Sequence, residues 1–215
     1  MCRILFARST QQFSIASLLE PFAQVASSSS EYQGHGWGCS WRVEDDSGHH
    51  WRHYHNINPV WEADFSQFGQ TSLLLVHARS AFRDEGIVIE NNMPFHNDDT
   101  VFIFNGELRG VRIDSPGRIG AEKIFNYIRR FDKGDQLAAL TKGTSIIARR
   151  SSYVRAMNII ISDGSQSCLA SDYSENPAYF QMYEKQSGPL KLVCSQPFAG
   201  QPDWIPIPNH SSKCL

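Results

Sequence analysis

The chain has 215 residues, 41% hydrophobic and 20% charged, with 20 Lys+Arg against 22 Asp+Glu and a formal charge of -2 at pH 7. That length suits one globular domain spanning residues 1–215, and a near-balanced charge without a basic block or stripe argues against nucleic acid as a partner. The richest apolar run, SLLLV at residues 72–76, is too short for a bilayer, and ILFA is hemmed in by Arg3 and Arg8, so no membrane span or signal peptide is expected and the protein reads as soluble and cytoplasmic.

CRILFAR, residues 2–8, reads as a short buried strand, and FSIASLLEPFAQVA, residues 13–26, as a helix that Pro21 bends or divides. SSSSEYQ (27–33) is loop-like. GWGCSWRV (36–43) and HWRHYHN (50–56) flank the turn-rich EDDSGHH (44–50), which predicts a hairpin. TSLLLVHARS (71–80) and TVFIFNGEL (100–108) predict two buried strands that end in polar residues. After the turn residues of DSPGRIG (114–120), AEKIFNYIRRF (121–131) and DQLAALTKGTSIIARR (135–150) have helical periodicity. Strands are predicted again over 154–164, 167–173, 178–185 and 190–195, before a proline-rich extended tail, WIPIPN (204–209). Strands, a helical pair and more strands predict an α+β fold with largely antiparallel sheets.

Three places carry chemistry. If Met1 is removed, Cys2 bears both a thiol and a free α-amine, with ordinary pKa values of about 8.5 and about 7.7–8.0, so the amine can take the thiol proton directly or through one water. The alternative is an incidental small residue at the start of a strand. In FNGEL (104–108), the Asn105 side chain and the Gly106 N–H suit an oxyanion hole, yet Asn-Gly is also a common tight-turn signal. In HARS (77–80), Arg79 is either a fork for a substrate carboxylate or half of a structural salt bridge.

Cys2, GHGWG (34–38), HARS, NNMPFHND (91–98), FNGEL and AEKIF (121–125) occur in one order, and in that order the chain resembles the class II glutamine amidotransferases, the N-terminal-cysteine branch of the Ntn hydrolases. Within them it is most similar to the compact stand-alone type related to amidotransferase-like enzymes of glutathione degradation and ergothioneine biosynthesis. The likeness is densest over residues 2–131 and continues more weakly through VCSQPF (193–198) and WIPIPN.

The resemblance implies a four-layer αββα sandwich and hydrolysis of a γ-glutamyl amide, with no metal and no cofactor. It puts Cys2 in the place of the nucleophile, Asn105 and Gly106 in that of the oxyanion hole, Arg79 in that of the carboxylate-binding arginine, and His77 in a supporting place beside it. GHGWG matches a glycine-rich strand close to the nucleophile. Two departures stand out. Gly120 occupies the place of a family aspartate that pairs with the substrate's α-ammonium, which turns attention from glutamine itself towards γ-glutamyl compounds whose amine is held by another carboxylate. Phe95 and then His96 follow the proline where many relatives have a histidine, and His96 is given no catalytic role. Glu122 matches a family glutamate and is read as structural.

The ammonia released goes either to a separate synthase-type subunit or to solvent, because 215 residues leave no room for a synthase domain. Rival readings are an Ntn amidohydrolase acting on a non-glutamyl amide and a noncatalytic, regulatory amidotransferase-like domain. His49, His50, His53 and His55 fit no regular zinc motif and read as exposed hairpin residues, with His53 and His55 on one strand face. Cys39, Cys168, Cys194 and Cys214 read as packing or surface thiols without a partner.

Overall fold

The apolar start of the chain extends, as a computed structural model shows, into a strand longer than the sequence pattern suggests, β1 (Arg3–Ser14). The structure describes residues 1–45, 48–97 and 99–215. The helix α1 (Ala16–Ser27) therefore begins three residues later than predicted, because Phe13 and Ser14 still pair with Thr71 and Gln70. It runs through Pro21 unbroken. The hairpin strands β2 (Trp37–Asp45) and β3 (Gly48–Asn56) pair as predicted, while Asp46 and Ser47 of their turn, like Asp98 of NNMPFHND, lie outside the described residues. Then come β4 (Gln70–Ala78), β5 (Phe95–Asn97), β6 (Thr100–Arg109), α2 (Gly120–Arg129), α3 (Gln136–Arg149), β7 (Tyr153–Ser162) and β8 (Ser167–Ser171).

Of the predicted strand over 178–185, only the last three residues are strand. Asn176 takes a left-handed conformation and Pro177 opens a one-turn helix, α4 (Pro177–Phe180), before β9 (Tyr183–Ser187) begins. A proline with its φ already set is a good first helical residue, and that local preference overrides the aromatic run. After β10 (Leu190–Cys194), the tail supplies two short strands rather than an unpaired extension, β11 (Ile205–Pro206) and β12 (Ser211–Cys214).

These elements form two compact units. The first, Met1–Pro94 with Met182–Pro206, is built on a seven-stranded sheet in the order β11-β9-β10-β1-β4-β2-β3, antiparallel at every pairing. Strand alternation sorts its residues. Leu5, Ala7, Leu74, Val76, Ala78, Trp37 and Cys39 join Leu18, Leu19 and Phe22 of α1 in one apolar core. Ile4, Phe6, Leu75 and His77, at the intervening positions, are buried outside that core.

The second unit, Phe95–Gln181 with Ile207–Leu215, carries a five-stranded antiparallel sheet in the order β12-β8-β7-β6-β5. The helices α2 and α3 pack on each other, and α3 packs on β7, β8 and β12. Their buried Ile124, Phe125, Ile128, Leu140 and Ile147 follow the helical spacing read from the sequence. Two mostly antiparallel sheets with few helices make the chain α+β.

Candidate active site

The register of β1 on β4 pairs Arg3 with Ala78, which brings Cys2, one residue before β1, to the level of Arg79, one residue after β4. By the same alternation Cys2, His77 and Arg79 fall on the positions turned away from α1. The Ser80 backbone N–H points at the Cys2 sulfur at 3.4 Å, and the thiol lies 3.7 Å from the Ser80 carbonyl. Cys2 is half-buried. Burial nevertheless dominates its titration and pushes the thiol pKa up, against the chain's terminal ammonium, the Ser80 hydrogen bond and the Arg79 charge, which pull it down.

Arg79 is buried, at 6% exposure. Its guanidinium donates to Asn92 Oδ1 at 3.2 Å and to the Gly86 carbonyl at 2.9 Å. Burial lowers its pKa, and the neighbouring Cys2 acts in the opposite direction. Among the described residues no carboxylate forms an ion pair with it, so the salt-bridge alternative is not what holds this side chain. Five N–H donors with two neutral acceptors leave part of the fork unspent. Such a site can accept an anion.

The segments around Arg79 are fixed by GHGWG. The Arg79 N–H donates to the Gly36 carbonyl at 2.9 Å, the His35 N–H donates to the Arg79 carbonyl at 3.2 Å, and the Ala81 N–H donates to His35 Nδ1 at 2.9 Å. Asn92 is itself anchored, since its Nδ2 donates to the Asn56 carbonyl at 2.8 Å. That bond passes over Gly36, where a Cβ would stand 2.1 Å from Asn92 Nδ2 and where φ is +102°. At Gly38 a Cβ would stand 2.6 Å from the Met93 carbonyl. The two glycines let the 92–94 segment lie against β2, and through Asn92 they set where the guanidinium sits.

Ahead of Cys2, the Met1 ammonium forms an ion pair with Glu31, and Gln33 Nε2 donates to the Met1 carbonyl at 2.6 Å. Glu31 also acts on the Cys2 thiol by its charge, raising its pKa.

In the second unit, Asn105 and Gly106 lie inside β6 and not in a turn. Asn105 is opposite Asn158, and the contrast between the two buried amides is sharp. Asn158 donates to the Phe180 carbonyl and accepts from Ser171 Oγ, both at 2.8 Å, whereas the Asn105 amide has no hydrogen-bond partner for its nitrogen or oxygen among the described residues. An unsatisfied buried amide costs about 1–3 kcal/mol. Gly106 is required by close approach, because a Cβ would stand 2.1 Å from the Ala156 carbonyl.

Gly120 is the first residue of α2 and faces open space, with nothing within 4 Å of a Cβ. Glu122 accepts from the Arg118 backbone N–H and guanidinium, which holds its carboxyl below the ordinary range and closes the loop before α2. His53 and His55 do share a face of β3, opposite Ser40 and Gly38, and are engaged by Ser40 Oγ at 2.7 Å and the Pro94 carbonyl at 3.0 Å. Among the described residues no three His, Cys, Asp or Glu side chains come together as a metal site, and no helix is long and apolar enough to cross a membrane.

No family model matches the chain, and neither does any curated protein. Solved structures do. A glutamine aminotransferase class-II domain protein from Silicibacter pomeroyi superposes with a TM-score of 0.67 at 15% identity, over 99% of this chain and 94% of that one. The glutamine phosphoribosylpyrophosphate amidotransferase of B. subtilis gives 0.63 at 12% identity, over 90% of this chain and 42% of that one. A predicted glutamine amidotransferase from Pseudomonas aeruginosa gives 0.55 at 14% identity, over 99% and 92%. The chain has the fold of a class II glutamine amidotransferase domain.

Within that amidotransferase fold, Cys2, His77 and Arg79 belong to the first unit, and Asn105, Gly106 and Gly120 to the second. Sequence reasoning missed Glu31 and Gln33, which lay in a stretch read only as loop, and Ser80, Gly86 and Asn92, which act through backbone atoms or a neutral amide. One signal was available for Asn92, since it is the second of two adjacent asparagines directly before Met-Pro.

Proposed function

We propose that the chain hydrolyses a γ-glutamyl amide, either glutamine or a γ-glutamyl compound, through a thioester on Cys2 uncovered by removal of Met1. The observation that carries this reading is the Arg79 guanidinium, buried beside the Cys2 thiol and without a carboxylate partner among the described residues. A cation in that state is suited to the α-carboxylate of an amino-acid substrate, with Asn92 and the Gly86 carbonyl orienting the fork.

In this mechanism the Cys2 α-amine takes the thiol proton and the sulfur attacks the amide carbonyl. The Asn105 amide and the Gly106 N–H are assigned the oxyanion of the tetrahedral intermediate. Asn105 suits that role because its amide has no other partner among the described residues. The α-ammonium then protonates the leaving nitrogen, ammonia or an amine departs, and water cleaves the γ-glutamyl thioester. His77, buried on β4 opposite Ile4 and Gly38, supports the strand end that carries Arg79.

Gly120 offers no side chain to a substrate ammonium. Glu31 is the better candidate for that contact, because it already holds an ammonium one residue from Cys2. The whole 215-residue chain serves as one cytoplasmic catalytic domain, passing ammonia to a separate subunit or to solvent. The test is release of ammonia or amine from glutamine and a panel of γ-glutamyl amides by the processed protein. Turnover that survives Cys2→Ala would rule the reading out.

A further inference from the structure

Cys168 and Cys214 lie directly opposite each other where β8 pairs with β12. Directly opposite residues of an antiparallel pair point to the same side of the sheet. The phase of the ladder is set by the Leu215 N–H, which donates to the Ser167 carbonyl at 2.8 Å. Ser167 and Leu215 are thus a hydrogen-bonded position, and Cys168 with Cys214 is the adjacent non-hydrogen-bonded one. At such positions the Cα atoms approach to about 4.5 Å and the side chains are closest. That spacing lies within the Cα separation of about 4.4–6.8 Å spanned by protein disulfides.

The two thiols differ in access. Cys168 is fully buried and Cys214 is exposed. Gln166 Nε2 donates to the Cys214 sulfur at 3.6 Å, favouring electron density there. Burial pushes the Cys168 thiol up to about 12, with Cys214, Asp163 and Asp135 adding to the effect. Two cysteines paired directly across the strands, on one side of the sheet, have the backbone spacing from which one sulfur can reach the other.

We propose that Cys168 and Cys214 are a redox-responsive thiol pair which peroxide closes into a disulfide, tying the C-terminal strand β12 to β8. The exposed Cys214 thiolate attacks one peroxide oxygen, the O–O bond breaks, and hydroxide leaves, giving a sulfenic acid at Cys214. That conversion removes the negative charge facing Cys168. The Cys168 thiol gives its proton to the hydroxide, and its sulfur attacks the Cys214 sulfur and expels a second hydroxide, which takes a solvent proton. The sulfurs together lose two electrons, and one peroxide becomes two waters. The site is separate from Cys2 and takes no part in the amide chemistry.

The test is to treat the purified full-length protein with hydrogen peroxide, block remaining thiols with a maleimide, and map disulfides by peptide mass without reduction. The expected result is one crosslink between the peptides holding residues 168 and 214, with loss of two hydrogens, reversal by dithiothreitol, and a rise in the thermal midpoint that Cys214→Ser abolishes. Because Cys214 is exposed, that variant keeps its fold. Cys214 recovered as sulfinic acid, crosslinked between two chains or joined to Cys2 would overturn the proposal, as would a thermal shift that persists in Cys214→Ser.

Discussion

Asn92 Oδ1 accepts from the Arg79 guanidinium at 3.2 Å while its Nδ2 is tied to the Asn56 carbonyl at 2.8 Å, so a neutral amide and not a carboxylate orients this buried cation. A carboxylate in that position would neutralise the fork and compete with an incoming anion. Removing one hydrogen bond to a charged group costs about 1.5–3 kcal/mol. Asn92→Ala is therefore expected to lower kcat/KM for γ-glutamyl substrates by about 10- to 100-fold, mostly through KM. Asn92→Asp is expected to be worse despite its near-identical shape, and steady-state kinetics on both variants checks the order.

Arg79→Lys keeps the charge but loses the planar fork, and an ammonium cannot serve Asn92, Gly86 and a carboxylate together. Activity is expected to fall by about 10²-fold or more, with the thiol still reactive towards a small neutral alkylating agent. Equal loss of both reactivities would show that Arg79 serves the fold alone.

The glycines divide by what surrounds them. Gly36→Ala places a Cβ against Asn92 Nδ2 at a positive φ, and a cost of about 1–3 kcal/mol in urea unfolding is expected together with loss of activity. Gly120→Ala meets nothing within 4 Å at the start of a helix, and is expected to be neutral or stabilising by up to about 1 kcal/mol. The two unfolding curves separate a crowded glycine from a dispensable one.

Glu31→Gln tests the assignment of the substrate amine. KM is expected to rise several-fold for substrates that carry an α-ammonium and to stay unchanged for an analogue that lacks it. A uniform effect on both would place Glu31 in the support of the Cys2 loop only.

Buried thiols make stability fall in alkali. Burial pushes Cys194 up to about 11 and raises Cys39 further still. The unfolded chain gives up these protons near an ordinary thiol pKa of about 8.5, whereas the folded chain keeps them, so stability is full below that pH and is lost as pH rises towards the folded values. The slope is up to about 1.4 kcal/mol per pH unit for each thiol. Urea midpoints compared at pH 7 and pH 10 should drop, and Cys194→Ala should flatten part of the drop.

Much of this was legible in the residues, and the misses have physical causes. Apolar runs located β4, β6 and β7, which bury successive residues on both faces, and helical periodicity located the pair α2 and α3, each of which buries one face. Asn105-Gly106 carried two meanings that local sequence does not separate. The strand reading holds because the Ala156 carbonyl leaves no space for a side chain at Gly106, a fact about a strand about 50 residues away. Arg79 posed a similar choice, and only the neighbours brought in by Gly36 and Asn92 show that its partners are neutral. Glu31 was hidden in a serine-rich loop whose composition says nothing about where its one acid points. The pairing of Cys168 with Cys214 was invisible for the same reason, since β12 is too short to announce itself.

The most direct measurement is the intact mass of the Met1-trimmed protein before and after 6-diazo-5-oxo-L-norleucine, a glutamine mimic that alkylates the nucleophile. The account predicts one adduct per chain, absent in Cys2→Ala and strongly reduced in Arg79→Lys. A trimmed chain that takes no adduct, or one that takes it equally without Cys2, would contradict it.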